Sequence, residues 1–124
     1  MAKKVLIVDD SVSMRQMLTM ILSSGGYEVI PAEDAKEGLT KLSEDLAAII
    51  TDYNMPGMSG VEFIREVRGG SVAKNKPIIM VTTESEQQKK DEGRSAGATG
   101  WITKPFEKDQ LLEVMEKVTG DVEF

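Results

Sequence analysis

The chain predicts an α/β fold of five βα units, a parallel sheet with helices on both faces. Three observations carry this. Short apolar runs such as Val5-Leu6-Ile7-Val8 and Leu46-Ala47-Ala48-Ile49-Ile50 read as strands buried on both faces. Segments of helical period alternate with them, which calls for right-handed crossovers onto a parallel sheet. No repeat of 20–50 residues and no linker interrupts the 124 residues, so one domain is expected, with no room for an effector domain.

Strand 1 is expected at about 4–8 and helix 1 at about 12–24, with Met14, Met17, Leu18 and Ile21 on one face and a stop at Gly25-Gly26. Asp10 or Ser11 can cap that helix. Strand 2 follows at about 27–31. Helix 2 opens at Asp34 with Glu37 at capping-box spacing and presents Ala35, Leu39 and Leu42; strand 3 lies at about 47–51. After Asp52 and a Pro56-Gly57 turn, Ser59 and Glu62 form a second capping box, and Val61, Ile64 and Val67 face inward until Gly69-Gly70. Pro77 can precede strand 4 (Ile78 to Thr82) without loss of a ladder donor. Helix 4 is expected at about 84–96, strand 5 at about 99–103 and helix 5 at about 107–119, the last with Leu111, Val114, Met115 and Val118 inward. Five such strands suit the flavodoxin-like order 2-1-3-4-5, in which strands 1 and 3 meet at the switch point where ligands bind.

Composition excludes several chemistries. With no histidine there is no His general base, no Ser-His-Asp triad, no usual zinc site and no phosphohistidine on this chain. The absence of cysteine removes disulfides and thiol chemistry. A net charge of −6 with both signs scattered argues against nucleic acid, and no segment reaches membrane-spanning length, so a soluble, cytoplasmic protein is expected. Eight methionines include Met14, Met17 and Met20 on helix 1, two of which match the core face, so gap-filling explains them better than a partner-binding stripe.

Chemistry gathers at the strand ends. Asp9 and Asp10 follow strand 1 and Asp52 follows strand 3. Carboxylates about 5 Å apart repel by roughly 3 kcal/mol per pair at an effective dielectric of about 20, so the cluster must take up protons, separate or bind a cation, for which a hard divalent ion is suited. Strand 4 brings Thr82 and strand 5 brings Lys104 to the same rim. Taken singly, each has a plain structural explanation; together they place at four strand ends the groups that metal-assisted phosphoryl chemistry needs.

Val8-Asp9-Asp10-Ser11, the run Asp52-Tyr53-Asn54-Met55-Pro56-Gly57-Met58-Ser59-Gly60, Met80-Val81-Thr82-Thr83 and Thr103-Lys104-Pro105-Phe106 together resemble the signature segments of the response-regulator receiver domain, most closely its single-domain chemotaxis type. The resemblance implies a signalling switch rather than an enzyme. Asp52 is then the phosphoacceptor, charged from a sensor histidine kinase. Asp9, Asp10, a carboxylate oxygen of Asp52 and the backbone carbonyl of Asn54 hold Mg²⁺, for which Mn²⁺ can substitute. Lys104 and Thr82 contact the phosphoryl oxygens, and the Lys104-Pro105 peptide is cis. Trp101 stands where the family usually has Tyr or Phe as a moving switch residue, though as a strand aromatic it can equally cover the sheet edge without moving.

The resemblance also implies a downstream target such as a flagellar motor switch, a phosphatase, and a monomer when unphosphorylated. Output is expected at helix 4, strand 5 and helix 5. Asn54 and Glu84, two positions past Asp52 and Thr82, are expected to flank the path of a hydrolytic water. Two other readings stand beside this one. A Mg²⁺-dependent Asp-nucleophile phosphohydrolase would want Asp-x-Asp and a cap domain, where this chain has Asp9-Asp10-Ser11. A binding scaffold on the same fold is either a receiver not switched by phosphate or a flavin carrier, and a flavin's phosphate would be repelled by Asp9 and Asp10.

Helix 4 is anomalous because Glu84 to Ser95 contain no apolar side chain. Thr83 with Glu86 has capping-box spacing and Glu86 with Lys90 is a favourable pair, but Lys90 and Arg94 are like charges four apart and Gly93 costs about 1 kcal/mol. It is expected to be the least protected helix and the one that phosphorylation reorders.

Overall fold

The computed structural model describes residues 3–83 and 87–120. The elements run β1 (Lys4–Val8), α1 (Val12–Ser24), β2 (Glu28–Ala32), α2 (Ala35–Thr40), β3 (Leu46–Asp52), α3 (Gly60–Gly69), β4 (Ile78–Thr82), α4 (Gln87–Ala96), β5 (Gly100–Thr103) and α5 (Lys108–Thr119). All pairings are parallel and the sheet order is β2-β1-β3-β4-β5, as the alternation requires.

The pleat divides the interior into two cores. Leu6, Val8, Ile49, Ile78 and Met80 face α2, α3 and α4, meeting Val61, Phe63, Ile64 and Val67 of α3. Val5, Ile7, Ala48, Ile50, Ile79, Val81 and Ile102 face α1 and α5, meeting Leu18, Leu22, Leu111 and Met115. Burial on both faces explains why these strands are continuous apolar runs.

Caps form largely where the spacing put them. Ser11, not Asp10, caps α1, its Oγ accepting from the Met14 N–H. Ser59 and Glu62 form both halves of their capping box. Asp34 accepts from the Glu37 N–H, but the Glu37 carboxylate turns to the N–H of Glu33, one residue before the cap.

Two packing expectations are corrected. Met17, expected on the core face, is 39% exposed, because the buried stripe of α1 is Leu18 and Leu22, flanked by the half-buried Met14 and Ile21. Helix α2 ends at Thr40, so Leu42 packs against the core from the loop that follows rather than from a helical face. Within α2, Gly38 lies against Val8 and Phe63, where a Cβ would sit 2.9 Å from a Val8 methyl.

Candidate functional site

Strand alternation decides which groups meet. Asp9 continues the row of Val5 and Ile7, Asp52 that of Ala48 and Ile50, and Lys104 that of Ile102, so all three emerge on the α1/α5 side of the sheet rim. Asp10 follows into the exposed loop. One oxygen from each of Asp9, Asp10 and Asp52 lies within 4.8 Å of the other two. The expected convergence of the acid residues therefore occurs.

Asp9 is 1% exposed and Asp52 9% exposed. Asp9 Oδ1 accepts from the Ser11 N–H at 2.8 Å, whereas Oδ2 is buried with no hydrogen-bond partner. Asp52 Oδ1 accepts from the Tyr53 N–H at 2.9 Å and from Lys104 Nζ at 3.3 Å, and the same ammonium is 3.8 Å from Asp9 Oδ2. Lys104 thus spans two carboxylates, and its peptide bond to Pro105 is cis.

Burial pushes the Asp9 carboxyl above the ordinary range, opposed by the Ser11 N–H and by Lys104. Burial likewise raises Asp52, and the neighbouring Asp9 charge raises it further against the pull of Lys104. Dehydrated acids crowded around one ammonium leave negative charge uncompensated. An all-oxygen donor set with an orphaned buried oxygen fits a hard divalent cation such as Mg²⁺.

Thr82, 1% exposed, continues the row of Ile78 and Met80 and so belongs to the α4 side of the sheet. Trp101 shares that side: it is half-buried, packs on the α3/α4 core and pairs in register with Met80. Asn54 is exposed in the loop after β3. Glu84 and Glu86 lie outside the described residues, and with them the second water-path position and the proposed cap of α4.

Three contributors were not foreseen. Arg15 of α1 donates from Nη1 to the Asp9 backbone carbonyl, pinning the end of β1 to the helix that follows. Its position four past the cap Ser11, pointing back to the first turn, is the one signal the chain offers for it. Gly60 lets α3 begin directly beneath the acid loop, since a Cβ there would fall 2.1 Å from the Asp52 carbonyl oxygen, and its N–H donates to the Tyr53 carbonyl at 2.9 Å. Tyr53 itself donates from its hydroxyl to Glu92 of α4 at 3.4 Å, linking the loop beside Asp52 to that helix.

The sequence profile of the response regulator receiver domain matches residues 5–116. The chain belongs to this family. It is 42% identical over 120 residues to chemotaxis protein CheY1 of Helicobacter pylori, a match covering 94% of this chain and 97% of that protein. Against the chemotaxis protein CheY homolog of Campylobacter jejuni it is 40% identical over 121 residues, covering 94% and 92%. The solved structure of Vibrio cholerae chemotaxis protein CheY4 superposes with a TM-score of 0.90 at 47% identity, covering 95% of this chain and 99% of that one. Receiver domains are two-component signalling modules and typically not enzymes. Among the described residues no helix is long and apolar enough to cross a membrane.

Proposed function

We propose that this receiver domain is a phosphorylation switch in which Asp52 takes the phosphoryl group of a phosphohistidine on a sensor histidine kinase. The observation that carries the assignment is the pairing of Asp52 with Lys104 at 3.3 Å beside a buried oxygen of Asp9 that accepts no hydrogen bond. Asp9, Asp10, Asp52 and the backbone carbonyl of Asn54 would hold Mg²⁺, or Mn²⁺ in its place. Such an ion neutralises charge that develops on the transferred group.

The chain's own residues do the rest. The Tyr53 N–H and Lys104 fix the orientation of the Asp52 carboxylate. Lys104 would follow one phosphoryl oxygen as the acyl phosphate forms, and the Thr82 hydroxyl on the next strand would take another. Asn54 and Glu84, both polar, would flank the route of the water that hydrolyses the product and admit it, so that the acyl phosphate is short-lived, as suits a rapid signal; self-phosphorylation from small donors is a weak activity incidental to signalling. The chemotaxis relatives support a chemosensory pathway in the cytoplasm. A kinase lies upstream, a target protein such as a flagellar motor switch lies downstream, and a phosphatase can end the signal; the unphosphorylated chain acts as a monomer.

Incubation with Mg²⁺ and a small acyl phosphate, read by intact mass, tests the assignment. The chain should gain one hydroxylamine-labile phosphoryl group and Asp52→Asn should gain none; an undiminished label in Asp52→Asn would exclude Asp52.

A further inference from the structure

Two cations of one helix share one aromatic ring. Arg94 Cζ lies over the Trp101 ring at 5.1 Å from its centroid, and Lys90 Nζ lies over the same ring at 5.4 Å. Lys90 and Arg94 are four residues apart on α4, a spacing at which like charges repel in an isolated helix. Here both charges face the negative π-face of an indole, the aromatic group that attracts cations best. Between them Gly93 is buried against Met80, where a Cβ would lie 2.4 Å from the Met80 methyl. Met80 is the register partner of Trp101 on β4. A single turn of α4 therefore rests on β4 through a glycine and on β5 through two cations.

We propose that Lys90 and Arg94 are positioning residues that clamp Trp101, and that release of this cation–π clamp is the step separating the resting from the switched arrangement. Thr82 lies two residues beyond Met80 on β4 and on the same side of the sheet. A pull on Thr82 toward the acid rim acts one strand step from the clamp. The clamp also gives Trp101 a defined task at a position where a ring must either hold or move. Each exposed contact of this kind is modest, but two acting together bias a two-state element by roughly five- to thirty-fold. The proposal rests on the phosphorylation-switch reading only in its second half, because the clamp itself is a property of the resting protein.

The test uses the full chain, whose single tryptophan is the probe. Acrylamide quenching and fluorescence anisotropy of Trp101 are measured in Lys90→Met/Arg94→Met, which keeps helix propensity and side-chain bulk but no charge. The charge-preserving Lys90→Arg/Arg94→Lys serves as the rescue. The clamp predicts quenching about twofold stronger and a more mobile ring in the methionine pair, with both restored in the swapped pair. It further predicts that beryllofluoride with Mg²⁺, a mimic of the phosphoryl group, binds the methionine pair about fivefold or more tightly than the parent chain. Unchanged quenching and anisotropy in the methionine pair would overturn the clamp. Altered quenching with unchanged beryllofluoride affinity would overturn its role in switching. Failure of beryllofluoride to bind even the parent chain would instead count against the phosphoacceptor reading, while the quenching data still decided the clamp.

Discussion

Helices α4 and α5 flank the same edge strand and are held to it by different physics. Leu111 and Met115 of α5 are fully buried in the α1/α5 core, with Leu112, Val114 and Val118 packed around them. The described side chains of α4 offer that kind of anchor only at Ala96, and the helix is tied instead by tethers: Gly93 on Met80, Lys90 and Arg94 on Trp101, and Glu92 accepting from Tyr53. Arg68 of α3 adds another, its guanidinium donating to the carbonyls of Gly97, Lys74 and Lys76. Burial of apolar area is nondirectional and hard to rearrange in small steps, whereas hydrogen bonds and ring contacts exist in discrete arrangements separated by little free energy. Of the two helices, the one lying on the Thr82 side of the sheet is the one held by contacts of the second kind.

The contrast can be broken most forcefully from the α5 side. Leu111→Ala should lower stability by about 2–5 kcal/mol in denaturant melts, the cost of a cavity in a closed core. No charge-removing change on α4 should approach that. Arg68→Met should cost about 1–3 kcal/mol, since carbonyls at the α4 terminus and in the α3–β4 loop lose their donor, and burial already pulls the Arg68 guanidinium below its usual pKa. Gly93→Ala should cost about 1 kcal/mol despite a better helix propensity, because its Cβ collides with a fully buried Met80 side chain. Combining it with Met80→Val should recover part of the loss in a double-mutant cycle, and strict additivity would show that α4 does not rest on that contact.

The smallest effect separates the acid rim from both helices. Asp9 and Asp52 have carboxyls raised above their unfolded values, so the folded state binds more protons than the unfolded one in the window just above the ordinary carboxylate range. Stability should therefore fall as pH rises through the raised values and level off above them. Mg²⁺ should offset the fall. The melting-temperature gap between Mg²⁺ and chelator should open with rising pH and be absent at low pH, and Asp10→Ala should diminish it; a gap independent of pH would mean that the carboxyls are not jointly dehydrated.

The strand order and the acid rim were legible in the chain because both follow from local rules: a double-sided strand must be apolar throughout, and the residue after it must lie at the rim. What fixes α4 was not legible. Lys90 and Arg94 read as repulsion and Gly93 as a propensity cost until Trp101 and Met80, brought beneath them by the sheet, turned each into a contact. Arg68 has no signal in the sequence beyond its place in the last turn of α3, since its acceptors are backbone carbonyls that no side-chain pattern marks. On α1, period alone did not tell Met17 from Leu22, because the stripe drifts and the longer, softer side chain tolerates the edge.

Hydrogen exchange tests the comparison most directly. In the unphosphorylated protein, amides of 90–96 should exchange markedly faster than those of 111–118, and addition of Mg²⁺ with beryllofluoride should change the first set while leaving the second as it was. Equal protection of the two helices, unaltered by the phosphoryl mimic, would contradict the assignment of α4 as the element that reads the state of Asp52.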